Sequence, residues 1–249
     1  MVFKTFFMLS LYIVPYVLIL TCNFSSISVL LMWALIGFGM SGIGLSIMHD
    51  ANHNAYSKNK NVNKWMGYFL NIVGGYDINW RIQHNVLHHT YTNIIGMDED
   101  VDAGIVLRFT KDQNLKPYHR LQHIYAWFLY GLMTIQWSFD KDFLQLIRYH
   151  KNGLLKIQKR NFTNQMALLI FYKVIYYSYV LVLPLIFLDN WWLVIIGYLT
   201  MHYTAGLILS VVFQCAHVME PNDFNSPNES RVVDKNLSLI HISEPTRPY

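Results

Sequence analysis

The stretch ISVLLMWALIGFGMSGIGLSIMHDANH, residues 27–53, decides the fold, because an apolar run of membrane length ends directly in two closely spaced histidines. Its first part, 27–48, contains no charged residue. A helix that crosses a bilayer needs about 20 predominantly apolar residues. The pattern therefore predicts a transmembrane helix that carries His49 and His53 at one membrane surface.

Three more apolar stretches are long enough to cross a bilayer, at residues 5–21, 165–188 and 191–213. The four stretches form two hairpins, which turn at TCNFSS and at LDNWW, where paired tryptophans suit a membrane interface. We therefore predict an all-α fold, a polytopic membrane helix bundle with four transmembrane helices. The region between the hairpins, 49–164, is polar except for 123–139, which is short for a span and predicts an interfacial or re-entrant helix.

Composition favours a membrane protein and excludes several other classes. Hydrophobic residues make up 53% of the 249-residue chain and charged residues 14%, well below the roughly 25% of soluble domains. The net charge of +4 is diffuse, without a basic patch interleaved with aromatics, so we expect no nucleic-acid partner. Cys22 and Cys215 lie in apolar contexts and indicate neither a disulfide framework nor a zinc ribbon.

The positive charges predict the orientation of the bundle. Lysine and arginine are concentrated between the hairpins, whereas the turns at 22–26 and 189–190 contain none. Cytoplasmic segments beside membrane spans are enriched in these residues. We therefore expect an integral, multi-pass membrane protein in which 49–164 forms a cytoplasmic, histidine-rich cap. The cations of this region are Lys58, Lys60, Lys64, Arg81, Arg108, Lys111, Lys116, Arg120, Lys141, Arg148, Lys151, Lys156, Lys159 and Arg160.

Two histidine clusters lie in this cap. His49 and His53 in HDANH are four residues apart, as are His84 and His88 in HNVLHH, and His89 follows directly. Residues four apart on an α-helix share a face, about 6 Å apart along the axis, so each pair can converge on one metal ion. One such pair is commonly an accidental surface feature, but two pairs beside membrane spans favour a metal site. Imidazole-rich sites without thiolates suit zinc, copper, iron or nickel.

The other histidines divide by position. His217, in FQCAH, is separated from the cap by two spans, so it emerges on the same membrane face, where a third ligand group has to be. His202 lies in the middle of a span, and we expect it to make a hydrogen bond within the bundle. His150, beside a lysine, is predicted to lie on the surface.

HDANH followed by WRIQHNVLHHTYTNIIGMDEDVD resembles the first two histidine boxes of the membrane fatty acid desaturases. The spacing HxxxHH is similar to that of the front-end branch, and the similarity runs from about residue 27 to about 225. In that family, histidines from three boxes hold two non-haem irons, which activate O₂ and remove two hydrogens from adjacent methylenes of an acyl chain. The ligands implied by the resemblance are His49, His53, His84, His88, His89 and His217.

The resemblance also implies the reaction and its partners. Ordinary acid–base side chains cannot break an unactivated C–H bond, so the metal must supply the oxidation, while the protein positions the chain in a dry slot. The expected partners are a fatty acyl substrate linked to CoA or to a lipid, O₂ and the lipid bilayer. A separate electron donor such as ferredoxin or cytochrome b5 is expected too, because no HPGG haem motif is present.

Acidic residues beside the boxes are candidates for holding the ligands in place. A carboxylate can accept a hydrogen bond from the outer ring nitrogen of a ligand histidine and so fix its tautomer. The same residues can equally form a solvated acidic loop, and both interpretations remain open. They are Asp50, in the first box, and Asp98, Asp100 and Asp102, which follow the second.

Five other residues near the boxes are candidates for substrate or supporting roles. Trp80, Arg81 and Asn85 surround the second box and are predicted to bind an acyl head group, although a juxtamembrane arginine is as common without one. His119 and His123 have the spacing of metal ligands, and the resemblance implies a position close to the site as supporting groups.

The chain departs from the family pattern near both ends. The third box, (Q/H)xxHH, is absent, and the final LSLIHISEPTRPY resembles a translated sequencing adapter. We therefore expect a desaturase domain over 1–236 that is incomplete at its C-terminus, with the completeness of its N-terminus left open, and a non-native tail over 237–249, in which His241 has no role. We expect this chain alone to form no double bonds.

Two rival functions remain at this point. A related membrane hydroxylase or ketolase shares the iron chemistry but places oxygen on the carbon. A histidine-rich metal transporter would place polar ligands within the spans, whereas here only His202 lies in mid-membrane.

Overall fold

The computed structural model describes residues 1–100, 104–110 and 113–217, with side chains as far as residue 216. The described residues form helices and loops and contain no β-strand. A 3₁₀ turn, Pro117–Leu121, precedes α6. The helices are α1 (Val2–Thr21), α2 (Ser26–Asn52), α3 (Lys60–Gly67), α4 (Phe69–Ile72), α5 (Asp77–Trp80 continuing through Arg81–His88 to His89–Tyr91), α6 (Gln122–Gln136 continuing through Trp137–Lys141 to Asp142–Lys151), α7 (Leu154–Ile157), α8 (Phe162–Phe187) and α9 (Trp191–His217).

Four of these helices are long and apolar enough to cross a membrane, as the sequence predicted. They are α1, α2, α8 and α9, with spans of 20, 27, 26 and 26 residues. At 1.5 Å per residue each matches or exceeds the roughly 30 Å hydrocarbon core of a bilayer. The polytopic all-α bundle is therefore confirmed.

The helices α2 and α9 lie side by side and run in the same direction. A Cβ added to Gly37 would lie 2.5 Å from the carbonyl oxygen of Met201, and one added to Gly197 would lie 2.2 Å from the Trp33 ring. Small residues permit such close contact between membrane helices. Because the pair is parallel, the end of α9 lies at the same end of the bundle as the histidines of α2.

The apolar stretch 123–139 forms the first half of a longer helix, α6, and not a separate short helix. It runs antiparallel to α9 and packs along it. The Ser138 hydroxyl lies 2.9 Å from the Tyr198 hydroxyl, and Thr134 Oγ1 donates to the carbonyl oxygen of His202 at 2.7 Å. The helix α6 therefore contacts the middle of a membrane span, and its second half, Asp142–Lys151, continues towards the histidines of the cap.

The apolar interior of the bundle contains a buried histidine, His202, both of whose ring nitrogens have hydrogen-bond partners. Trp33, Ile36 and Met201 are fully buried in its main cluster. His202, also fully buried, has its Nε2 2.5 Å from the Tyr176 hydroxyl, and its Nδ1 lies 3.1 Å from Thr134 Oγ1. The predicted hydrogen bond within the bundle is therefore confirmed.

Replacing Gly206 with leucine is expected to separate α6 from α9. A Cβ at this position would lie 2.7 Å from the carbonyl oxygen of Gly131, which is backbone and cannot rotate away. We expect the free energy of unfolding in detergent to fall by about 1–3 kcal/mol, the usual cost of overpacking. The control, Ile196→Val, changes a side chain that is 43% exposed, and its unfolding should stay close to that of the parent. Equal stability of both variants would contradict the close contact.

Candidate metal centre

The first histidine pair lies at the end of α2. The helix contains a π-helical turn, Gly44–Met48, directly before His49 and ends at Asn52. The His49 and His53 ring centroids are 4.6 Å apart. The pair thus projects from the end of a membrane span, where a rigid helix sets its position.

The second pair lies on a π-helical segment, Arg81–His88, so the expectation of ordinary α-helical spacing was wrong here. The rings of His84 and His88 stack at 5.2 Å with an interplanar angle of 12°. π-Helical turns inside α-helices are rare and occur frequently at functional sites. The wider turn brings the two rings over one another and leaves the next residue, His89, facing the first box.

The five box histidines form one cluster. His84 lies at its centre, with ring centroids 5.3 Å from His49, 5.1 Å from His53 and 4.9 Å from His89. His89 also lies 4.9 Å from His53, so the second box contacts the first directly. Residues more than 30 positions apart in the chain therefore meet in one small volume. Such a concentration of imidazole is what a metal site requires.

Two groups of side chains within this cluster have ligand atoms no more than 4.8 Å apart. One comprises His49, His53 and His84, and the other comprises His84, His88 and Asp100. His84 belongs to both groups. The His84 side chain therefore lies at the centre of the arrangement.

Asp98 holds the ring of His88. Its carboxylate oxygens lie 3.0 and 2.9 Å from His88 Nδ1, and both side chains are almost fully buried. The loop that returns Asp98 to the helix turns at Asn93, whose φ of 60° lies in the left-handed region that asparagine tolerates. The backbone N–H of Asn93 donates to Oδ2 of Asp98 at 2.9 Å. With Nδ1 directed to Asp98, Nε2 is the nitrogen that faces a metal.

Asp100 does the same for His84. Its Oδ2 lies 2.6 Å from His84 Nδ1, and the two side chains are 2% and 3% exposed. Burial acts to raise the pKa of Asp100, but the hydrogen bond from His84 and the charges of His84 and His88 outweigh it and lower the pKa to about 2. The carboxylate is therefore ionised at neutral pH and accepts a hydrogen bond. We infer that Asp100 is a hydrogen-bond partner of His84 and not a metal ligand, because its Oδ2 lies at hydrogen-bond distance from His84 Nδ1.

Asp50 lies at the edge of the cluster. Its Oδ1 is 3.6 Å from His49 Nδ1, longer than a hydrogen bond, and its Oδ2 is 3.6 Å from Lys4 Nζ. The start of α1 thus lies at the same end of the bundle as the boxes. Asp102 lies outside the described residues.

The three predicted substrate residues have different surroundings. Trp80 packs against the cluster, with its ring centroid 4.6 Å from His84 and 5.7 Å from His49. Asn85 donates from Nδ2 to the Asn52 carbonyl oxygen at 2.9 Å and so ties the second box to the end of α2. Arg81 has its Nε 3.7 Å from Asp77 Oδ2 and is partly exposed.

The structure does not bring His119 and His123 into the cluster. His119 is partly exposed, with Nε2 3.2 Å from the Ile105 carbonyl oxygen and Nδ1 accepting from the Lys116 backbone amide at 3.1 Å. Both histidines line a separate groove of about 450 Å³ at the start of α6. His150 is exposed, as predicted, and stacks on Phe162 at 4.4 Å.

His217 is the last residue of α9, and its side chain lies outside the described part of the chain. Because α9 runs parallel to α2, the backbone at His217 lies at the end of the bundle where His49 and His53 lie. The ligand role of this residue stays a prediction, as do the domain boundary at 236 and the tail at 237–249.

Sequence reasoning missed two glutamines that support the cluster. Gln83 donates from Nε2 to Asp100 Oδ1, and Gln145 Nε2 donates to Gln83 Oε1 at 2.5 Å. The only signal for Gln83 was its position directly before His84. Nothing local marked Gln145, which lies on α6, 62 residues further along the chain.

The donor set fits iron. Five imidazoles, two of them directed by buried carboxylates, and no thiolate among the described residues of the cluster make a nitrogen-rich site of borderline softness. Carboxylates behind ligand histidines are the usual outer partners of metal sites. Spacing and donor chemistry therefore suit two adjacent ions at the end of the bundle.

These features define a polytopic helical membrane protein with a candidate polyhistidine metal centre. The model of the fatty acid desaturase family matches residues 25–238. The chain belongs to the fatty acid desaturase family. No solved structure matches it.

Named relatives are similar over most of this chain. It is 33% identical over 202 residues to sn-1 linoleoyl-lipid 6-desaturase of Arthrospira platensis, covering 80% of this chain and 54% of that protein. It is 32% identical to the enzyme of the same name from a Synechocystis species, covering 83% and 57%. It is 33% identical to acyl-lipid (8-3)-desaturase of Physcomitrium patens, covering 93% and 48%. The chain thus spans about half the length of the relatives it matches.

Proposed function

We propose that this chain carries the histidine cluster of a membrane di-iron fatty acid desaturase. The observation that carries the proposal is the convergence of five box histidines, with His84 at the centre and held by Asp100. The reaction forms one carbon–carbon double bond in an acyl chain. One O₂, two external electrons and two protons are consumed with the two hydrogens removed, and two waters are formed.

The two irons, when bound, supply the oxidising power that no side chain has. The residues of this chain hold and orient them. Asp98 and Asp100 accept hydrogen bonds from the Nδ1–H groups of His88 and His84. Each neutral ring then presents Nε2 as a ligand. Trp80 packs its ring against His84 on one side of the cluster.

The acyl substrate is proposed to be lipid-linked. The relatives named above are two linoleoyl-lipid desaturases and one acyl-lipid desaturase. A helix bundle that ends in its metal cluster at a membrane surface suits a substrate that stays in the bilayer. Acyl-CoA is the alternative carrier. The electron donor is proposed to be a separate protein such as ferredoxin or cytochrome b5.

The cap between the hairpins is proposed to lie on the cytoplasmic side. Most of the lysines and arginines are found there, beside the cytoplasmic ends of α2 and α8. The same orientation places the metal cluster where soluble electron carriers have access. The turns between α1 and α2 and between α8 and α9 then face the opposite side.

Cysteine labelling tests this orientation. In a background with Cys22→Ser and Cys215→Ser, Lys60→Cys and Asn190→Cys each introduce one thiol at an exposed position. A membrane-impermeant maleimide added to sealed membrane vesicles with their cytoplasmic face outward should label position 60 only, and position 190 should react after the membrane is opened. Labelling of both positions from one side would contradict the two-hairpin topology.

Product analysis tests the activity. The complete product of the gene, expressed in a yeast that makes few polyunsaturated lipids, should give fatty acids with one new double bond. Gas chromatography with mass spectrometry detects them, and a His49→Ala variant should abolish them. A hydroxylated or ketone product would instead favour the rival hydroxylase or ketolase. No oxidised product from protein with bound iron and a competent reductase would overturn the proposal.

A further inference from the structure

A chain of buried hydrogen bonds connects the metal cluster to the second half of α6. It starts at His84, whose Nδ1 lies 2.6 Å from Asp100 Oδ2, and continues to Gln83, which donates to Asp100 Oδ1. Gln145 Nε2 then donates to Gln83 Oε1 and, at 3.2 Å, to the Tyr149 hydroxyl. This chain of hydrogen bonds thus connects the second histidine box to α6, a helix that contains neither box.

The outer end of this chain is an ion pair. The Tyr149 hydroxyl donates to Glu99 Oε2 at 2.7 Å, and Arg148 Nη2 donates to the same oxygen at 2.6 Å. Burial, and then the charge of Glu99, raise the pKa of Tyr149. Tyr149 is fully buried and keeps its proton at physiological pH, so the direction of this hydrogen bond is fixed.

The ionised carboxylates determine which group donates in each of the other hydrogen bonds between His84 and Glu99. An ionised carboxylate only accepts, so Tyr149 must donate to Glu99 and use its oxygen to accept from Gln145. The amide of Gln145 then presents N–H to Gln83 Oε1, which turns the Gln83 amide so that its N–H meets Asp100. A reversed amide at either glutamine would place two acceptors against each other.

The geometry points to Gln145 as a positioning residue for the metal cluster, acting through Gln83 and Asp100 on His84. The hydrogen bonds of Gln145 run to Gln83 and Tyr149, and its side chain is 3% exposed. By holding Gln83 it fixes the Asp100 carboxylate at the angle that accepts from His84 Nδ1 and directs Nε2 to the metals. The inference rests on the proposed metal function of the cluster.

The test compares two buried glutamines. Gln145→Glu keeps the size of the side chain but removes the N–H groups that face Gln83 and Tyr149. Gln165→Glu is the matched control, because Gln165 is 6% exposed and its side-chain oxygen accepts from the Tyr76 hydroxyl at 3.0 Å, which a glutamate also does. The complete gene product is stripped of metal in detergent and titrated with Co²⁺, whose visible absorption bands report the nitrogen ligands.

We expect Gln145→Glu to weaken Co²⁺ binding by about 10–100-fold, the range seen when outer partners of metal ligands are removed. The absorption bands of the bound ion should also shift, because His84 is reoriented. Loss of fold alone would lower the bound fraction without shifting the bands. Gln165→Glu should match the parent in both measurements.

If Gln145→Glu does not fold, Tyr149→Phe carries the test, since it removes only the hydroxyl that fixes the amide of Gln145. It should weaken binding by several-fold and shift the bands in the same direction. Unchanged affinity and bands in the folded variant would overturn the inference. A parent protein that binds no Co²⁺ would instead refute the proposed metal function, so the two failures are distinguishable.

Discussion

His84→Ala is expected to lower the iron content more than His49→Ala does. The His84 side chain is 3% exposed, its ring lies 4.9–5.3 Å from those of His49, His53 and His89, and Asp100 holds it, whereas the His49 side chain is 33% exposed. Loss of a ligand leaves an ion under-coordinated or bound to water and lowers its affinity. Iron should be counted per chain after anaerobic purification of the complete gene product, beside its desaturation products. Both variants should be inactive, and the His84→Ala variant should retain less iron than the His49→Ala variant.

The control for this comparison is His150→Ala. His150 is exposed and stacks on Phe162, outside the cluster, so its variant should keep the iron and the activity of the parent. Equal iron content in the His84→Ala and His49→Ala variants would contradict the central position of His84. Normal iron in the His84→Ala variant would contradict the metal site as a whole.

Lys173→Met is expected to cause the largest loss of stability. Lys173 Nζ lies 2.8 Å from Asp142 Oδ2 and donates to the carbonyl oxygens of Gly74 and Trp137, and it is 5% exposed. Breaking a buried ion pair from one side typically costs about 3–5 kcal/mol, because a charge is left without its partner. Unfolding in detergent, followed by helical circular dichroism, measures this loss.

The double variant Lys173→Met, Asp142→Asn separates the charge from the shape. In the parent protein the Trp137 indole N–H donates to Asp142 Oδ1 at 3.1 Å. An asparagine at position 142 can still accept this hydrogen bond, but its side chain carries no charge. We expect the double variant to regain at least half of the stability lost by Lys173→Met. A double variant as unstable as the single one would show that packing, and not charge, makes this contact important.

The transmembrane fold was predictable from the sequence because its cause is local. Each span needs only an uninterrupted apolar run of sufficient length, and residues 27–48 supply one. The placement of α6 was not predictable in the same way. Its apolar half is too short for a span, and its contact with Thr134 and His202 depends on how α9 packs.

The metal cluster was predictable only in part. Spacing identified the five histidines, and the position of Asp98 and Asp100 after the second box made them candidates for support. The π-helical turn at Arg81–His88 gives no sequence signal, although it sets how His84 and His88 stack. The contact between Gln83 and Gln145 spans 62 residues and arises only from tertiary packing, which a local pattern does not contain.

The most direct test of the central claim is the Mössbauer spectrum of the complete gene product, grown on ⁵⁷Fe and purified anaerobically. The proposed di-iron function predicts close to two irons per chain, and the imidazoles of the cluster with their buried carboxylate partners predict high-spin ferrous sites with nitrogen and oxygen ligands and no thiolate. The ferrous signals should fall sharply in the His84→Ala variant. Zinc at full occupancy with no iron, from cells grown with ample iron, would contradict the claim.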